Sequence, residues 1–251
     1  MEKIYLDNNA TTQTDPRVVD AMLPYFSERY GNPSSSVHSF GLTAEVAVEK
    51  SVAGIAAFFS AKPSEVVITS GTTESINFAM KGIVEHFYPA KNHIVTSSIE
   101  HHATIEVSKY LSERGVSVSF VEVDSEGFLN LEKLSDSITD KTMLVSIIAA
   151  NNEIGTVQNI QAISKIVKDK KSLLHLDFAQ ATGRVDVDFS SGAIDMLSFS
   201  AHKCHGPKGI GGILIREELN KLIVPQILGG GQQNGLRGGT LNVPLIVGLY
   251  E

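Results

Sequence analysis

From about residue 64 onward the chain alternates short β-branched or apolar runs with segments of helical periodicity, and few folds accept that order. An apolar run must be covered, and the amphipathic segments between the runs supply the cover; such alternation builds βαβ units around a mostly parallel sheet. The spacing predicts strands over 66–70, 93–97, 116–123, 143–150, 173–177, 195–200 and 212–216. Between them, 75–86, 104–114, 131–138 and 160–168 set apolar residues three and four apart, as helices with one buried face do. A further helix over 42–59 precedes the first strand. The run LVSIIAA at 144–150 is almost continuously apolar, as a central strand covered on both faces would be. The expected class is therefore α/β, a mostly parallel central sheet flanked by helices.

Polar and glycine-rich segments crowd where strands stop: SGTTES, SIEHH, ANNEIG, DFAQATG and SFSAHK. Open α/β sheets bind ligands beyond the carboxyl ends of their strands, so these five loops are expected to face one crevice. Composition narrows the rest. Hydrophobic residues at 42% and charged residues at 20% exclude disordered, collagen-like and coiled-coil chains. A net charge of −7 argues against a nucleic-acid surface. No apolar run reaches the roughly 18 residues of a membrane span, and the start MEKIYLDNNATT lacks the n-region and h-region of a signal peptide. A soluble, cytoplasmic protein with no membrane partner is expected. The single cysteine, Cys204, excludes an intrachain disulfide and a Cys-rich zinc site.

Lys203 is read as ending an apolar strand beside the crevice, where a desolvated amine is neutral and can form a Schiff base with a carbonyl cofactor. A solvated strand-end lysine is the alternative. Asp177 ends the preceding strand and is followed by Gln180; a buried carboxylate needs a cation or donors, and a protonated pyridine nitrogen would serve. Asp177 capping the next turn is the competing reading. Gly71-Thr72-Thr73 lies between a strand and a helix, where N–H groups and hydroxyls hold phosphate, although Thr72 or Thr73 is also a plausible N-cap. His101 begins a helix and offers ring stacking or proton transfer, with His102 the weaker candidate. The spacing of His101, His102, His202 and His205 does not suit a metal, and no metal site is expected.

Taken together the blocks YLDNNATT, GNPSSSVHSFG, TSGTTESIN, EHHA, NNEIGT, HLDFAQ, SFSAHKCHGPKGIGG and GGGQQNGLRGGT resemble the cysteine desulfurases of the NifS and IscS type, class V aminotransferase relatives among the fold-type I pyridoxal-phosphate enzymes. The resemblance covers essentially the whole chain. It implies the aspartate aminotransferase-like large domain over 16–240. Residues 1–15 would then be an N-terminal piece of the small domain, and 241–251 the start of a helix leading to a C-terminal part beyond this sequence. Lys203 would carry pyridoxal 5′-phosphate and move protons, Asp177 would pair with the ring nitrogen, Gln180 would bond the ring oxygen, and His101 would stack on the ring as an acid/base. The phosphate would be held by Thr72, Thr73, Ser200, His202 and, reaching across a homodimer, Thr240. Asn152 would contact the substrate or the ring oxygen, and Asn8, Ala10 and Thr11 would line the substrate entrance.

The implied reaction converts L-cysteine to L-alanine and leaves the sulfur as a persulfide on an enzyme cysteine, for iron–sulfur scaffolds or other sulfur acceptors. That cysteine belongs to the family's C-terminal part; Cys204 is expected to be a packing residue pointing away from Lys203, with sulfur handling as the alternative. EHHA, NNEIGT and GPKGIGG favour a desulfurase over a selenocysteine lyase or an aminotransferase. A non-catalytic cofactor-binding scaffold is the remaining possibility.

Overall fold

A computed structural model describes residues 4–251; the first three residues of the 1–15 segment lie outside them. Helices α1 (Pro16–Met22), α2 (Pro24–Ser27) and α3 (Ser39–Phe58) come first. Strands β1 (Val66–Thr69), β2 (His93–Ser97), β3 (Ser117–Val121), β4 (Thr142–Ile148), β5 (Leu173–Asp177), β6 (Met196–Ser200) and β7 (Gly211–Ile215) follow. They alternate with α4 (Thr72–Phe87), α5 (His102–Ser112), α6 (Leu131–Ser137) and α7 (Ile160–Asp169), and α8 (Val243–Tyr250) comes last. The seven strands form one sheet in the order β1-β7-β6-β5-β4-β2-β3. Among the described residues β7 alone runs against the direction of the rest, so the other six strands all end on one side.

Alternating side chains feed two cores, one on each face. Ile68, Val145, Leu197 and Phe199 join Phe59, Phe178 and Phe189 on the face covered by α3, α7 and α8. Val67, Met196, Ile213 and Ile215 meet Ile76, Met80 and Ile83 of α4 on the other. Each such side chain contributes about 1.5–3 kcal/mol on full burial. Every strand expected from the sequence forms, with ends moved by a few residues. α1 and α2 were not expected: each is too short for its periodicity to register, and each opens on a proline at the N1 position. α8 is short but not isolated, because it lies against α3 and α1. A Cβ on Gly54 of α3 would strike the Tyr250 ring at 2.0 Å, which measures how closely the two helices approach.

Beneath the site, β4, β5 and β6 are bridged inside the sheet layer. His175 accepts or donates at both ring nitrogens, to Ser146 Oγ at 2.8 Å and to Ser198 Oγ at 2.7 Å. Burial holds its pKa down to about 3, so the ring is neutral and works as a hydrogen-bonded strut.

Candidate active site

The loops after β1, β2, β4, β5 and β6 surround a cleft of about 960 Å³. The N-terminal segment closes one side of it. Thr12 fastens that segment to the turn after β6: its N–H and Oγ1 both donate to the His202 carbonyl, at 2.8 and 3.0 Å, and its Oγ1 accepts from His205 N–H at 2.7 Å. A neighbouring segment thus reaches the lysine turn through hydrogen bonds that no local pattern announces.

β6 stops at Ser200, and Lys203 stands on the 3-10 turn Ala201–Lys203, three residues past the strand. The strand-end expectation is corrected accordingly. Ala201 N–H still bonds Ile210 O at 3.2 Å, but Cys204 and Gly206 N–H both turn back to Ala201 O, so the chain curls instead of extending. Lys203 Nζ donates to the Asn9 carbonyl, which also receives Gln180 Nε2 at 2.8 Å. Burial lowers the lysine pKa, opposed by Asp177 and Asp7, and so favours the neutral amine. Cys204, expected to be a packing residue, is exposed as a residue but keeps its thiol partly buried. Strand alternation does not apply on a turn. Its thiol lies 3.3 Å from the Ala201 carbonyl, and burial of the sulfur end pushes its pKa up, which disfavours the thiolate.

Asp177, at the carboxyl end of β5, is 3% exposed. Burial raises its pKa, partly offset by Ala179 N–H at 3.0 Å and by the nearby His101 and Lys203. It is a carboxyl short of a cation. His101 caps α5: its Nδ1 accepts Ala103 N–H at 3.1 Å, which leaves Nε2 to carry the proton of the neutral ring.

Across the cleft, Gly71 is the N-cap of α4, with φ at 140°. The sequence offered Thr72 or Thr73 for that position. Glycine takes it because L side chains rarely adopt this backbone conformation, and Thr72 then becomes the first helical residue. The opening N–H groups of a helix have no partner within it. Thr72 Oγ1 is buried with no hydrogen-bond partner among the described residues, and Ser200 Oγ would lie 3.7 Å from a Cβ built on Gly71. Orphaned hydroxyl, free N–H groups and the positive helix end form a cradle suited to phosphate.

The cradle is tied to the glycine-rich loop. Arg237 holds Glu74, in the first turn of α4, through Nε at 2.9 Å and Nη2 at 3.2 Å. Glu74 in turn accepts Ser70 N–H at 2.8 Å. Burial alone would raise the Glu74 pKa, but the bonds from Arg237 and Ser70 outweigh it and lower the value. Gln233 adds a second anchor, its amide accepting Ile68 N–H at 2.6 Å and donating to Ile68 O at 2.9 Å along the open edge of β1. Arg237→Met should destabilise the chain by about 1–2 kcal/mol, the cost of a half-buried carboxylate losing its cation. Hydrogen exchange should accelerate in residues 232–240; unchanged exchange there would show that Gln233 alone holds the loop.

The family described as aminotransferase class-V matches residues 4–251. The chain belongs to that family. Among curated relatives of this class-V chain, a cysteine desulfurase IscS from Rickettsia bellii (strain OSU 85-389) is 47% identical over 98% of the chain and 60% of the relative. A mitosomal cysteine desulfurase from Trachipleistophora hominis is 47% identical over 98% of the chain and 56% of the relative. The chain therefore spans somewhat under two thirds of the curated relatives it matches. A solved NifS-like protein superposes with a TM-score of 0.96 at 45% identity, over 99% of this chain and 68% of the other. SspA in complex with cysteine superposes with a TM-score of 0.95 at 38% identity, over 99% of this chain and 71% of the other.

In this class-V chain the structure gathers Lys203, Asp177, His101, Asn152 and Gln180 on the cleft wall. Thr72, Thr73, Ser200, His202, Ala10 and Thr11 line the same cleft. His202 Nδ1 is 3.2 Å from Thr11 Oγ1. Two candidates stand outside. Asn8 lines a neighbouring hollow with Thr12 and His205 instead of the cleft. Thr240 is exposed on the glycine-rich loop and does not line the cleft of its own chain. Sequence reasoning gave no part to Glu100, Thr12 or Arg237. Glu100 follows Ile99 and precedes His101 in a turn three residues past β2, where no local pattern singles it out, and the Arg237–Glu74 pair, 163 residues apart, carried no signal either.

Proposed function

We propose that this chain binds pyridoxal 5′-phosphate and carries out the cofactor-dependent half of cysteine desulfuration, with L-cysteine as substrate. One observation supports this most: a desolvated lysine, a buried carboxyl short of a cation and an orphaned threonine hydroxyl at a helix start line a single cleft. A phosphorylated aromatic aldehyde that protonates at a ring nitrogen satisfies all three. The names of the relatives favour cysteine desulfuration among the class-V activities.

Bound there, the cofactor would supply an electron sink for the substrate Cα. Lys203 offers a neutral amine as nucleophile and afterwards as the base at Cα. Asp177 would pair with the ring nitrogen and favour its protonated form. His101, with Nδ1 engaged by the helix, holds a proton at Nε2 for transfer. Thr72, Thr73, Ser200 and His202 would bind the phosphate, and Gln180 and Asn152 would contact a ring oxygen or the substrate. Ala10 and Thr11 border the entrance. Cys204, its thiol pKa raised by burial, is not the sulfur acceptor in this reading; in the test below the added thiol takes the sulfur, and a second thiol releases it as sulfide with formation of the disulfide. We further propose a homodimer in which the exposed Thr240 completes the partner's phosphate site, with sulfur passing to an iron–sulfur scaffold or another acceptor protein.

The test is turnover of the cofactor-loaded chain with L-cysteine and an added thiol. Alanine and sulfide in equal amounts are expected. Amino transfer to a keto acid without sulfide would replace this reading with an aminotransferase.

A further inference from the structure

Glu100 has no part in the chemistry above, yet it is 6% exposed at the turn that leads into His101. Its Oε1 accepts Ser97 Oγ at 2.6 Å and Ile148 N–H at 2.9 Å. Its Oε2 is buried with no partner among the described residues. Among the described residues no cation pairs with it. The one charged group that bears on it is Asp177, another acid, from β5; its contacts on β2 and β4 are neutral.

These bonds join two turns. Glu100 ties the turn after β2 to the last residue of β4, and Asn151 Nδ2 returns a bond to Ile99 O at 2.8 Å. The first turn carries His101 and the second carries Asn152. An ionised carboxylate without a cation is costly in such a place, whereas the neutral acid keeps both bonds at Oε1. Two neighbouring buried carboxyls also resist ionising together. Asp177 has the Ala179 N–H and a favourable influence from nearby Lys203 and His101; Glu100 has neutral donors from Ser97 and Ile148, and the charge of Asp177 opposes its own.

We infer that Glu100 is a positioning residue acting as a protonated carboxylic acid, fastening the His101 turn to β4 without adding a second negative charge beside Asp177. The benefit to ring-nitrogen pairing rests on the proposed cofactor; the protonation does not.

Burial lifts the Glu100 pKa from 4.5 to about 8. Its contribution to stability is complete below 4.5 and drains away as pH rises through about 8. Glutamine keeps the acceptor and cannot ionise. In denaturant unfolding of the cofactor-free chain, the advantage of Glu100→Gln over wild type should grow from pH 4.5 and level off above about 8. A difference that stays constant across that interval overturns the inference. Should the variant fail to fold, the infrared spectrum of the wild-type chain decides. A protonated-carboxyl band at neutral pH that fades near pH 8 supports the inference, and its absence overturns it.

Titration with pyridoxal phosphate adds a second readout. Glu100→Gln should bind within about threefold of wild type, while Glu100→Ala, which orphans Ile148 N–H, should lose about tenfold or more. Equal losses in both variants would mean that the charge is required, against the inference. A wild-type chain that binds no pyridoxal phosphate sinks the proposed function and the benefit to the ring; the unfolding comparison, which uses no cofactor, judges the protonation separately.

Discussion

Lys203→Ala should abolish covalent capture of pyridoxal phosphate and reduce turnover of L-cysteine by about 10²–10⁴-fold or more, since one amine serves as both nucleophile and base. Borohydride reduction of the loaded wild type, followed by peptide mapping, should place the pyridoxyl group on Lys203 and nowhere else. The variant should still hold some cofactor without a covalent bond, because the α4 cradle is built from residues on another loop. Its unfolding free energy should remain within about 1 kcal/mol of wild type, as the half-buried amine has little packing to lose. An adduct on Lys208 in the wild type would remove the assignment.

Asp177→Asn should push stability and cofactor affinity in opposite directions. Burial raises the Asp177 pKa in the free chain. A group whose folded pKa lies above its unfolded value gives stability at low pH and loses it as pH rises, so at neutral pH this carboxyl weighs against folding. Asparagine keeps the acceptor for Ala179 N–H and cannot ionise, so the cofactor-free variant should unfold at the same or higher denaturant concentration. With cofactor the sign reverses, because the carboxylate gains a ring-nitrogen cation. Breaking that pair should cost about 3–5 kcal/mol, or about 10²–10⁴-fold in cofactor affinity. A residue of purely structural importance would lower both quantities; parallel losses would therefore remove Asp177 from the ring.

Much of the fold was legible because burial on both faces leaves a one-dimensional trace. LVSIIAA has no polar residue but Ser146, and that serine is satisfied inside the sheet by His175. Strand ends were less legible. LSFSAHK continues to read as a strand, yet Ala201 O collects the N–H groups of Cys204 and Gly206, and the chain turns before Lys203. The N-cap of α4 was misplaced for a related reason. Serine and threonine are good caps in general, but here the backbone demands the φ of 140° that glycine tolerates.

The sequence by itself determined the alternation of strands and helices, the polar loops at their carboxyl ends, and therefore which loops border the cleft. These properties follow from local periodicity and from the common direction of parallel strands. Tertiary structure alone decided the electrostatic state of the site. Glu100 and Asp177 are 77 positions apart in sequence but close enough in space for one charge to oppose the other. Arg237 reaches Glu74 across most of the chain, and Thr12 reaches the turn of Lys203. Desolvation and Coulomb interaction depend on distance in space, and sequence separation carries no measure of it.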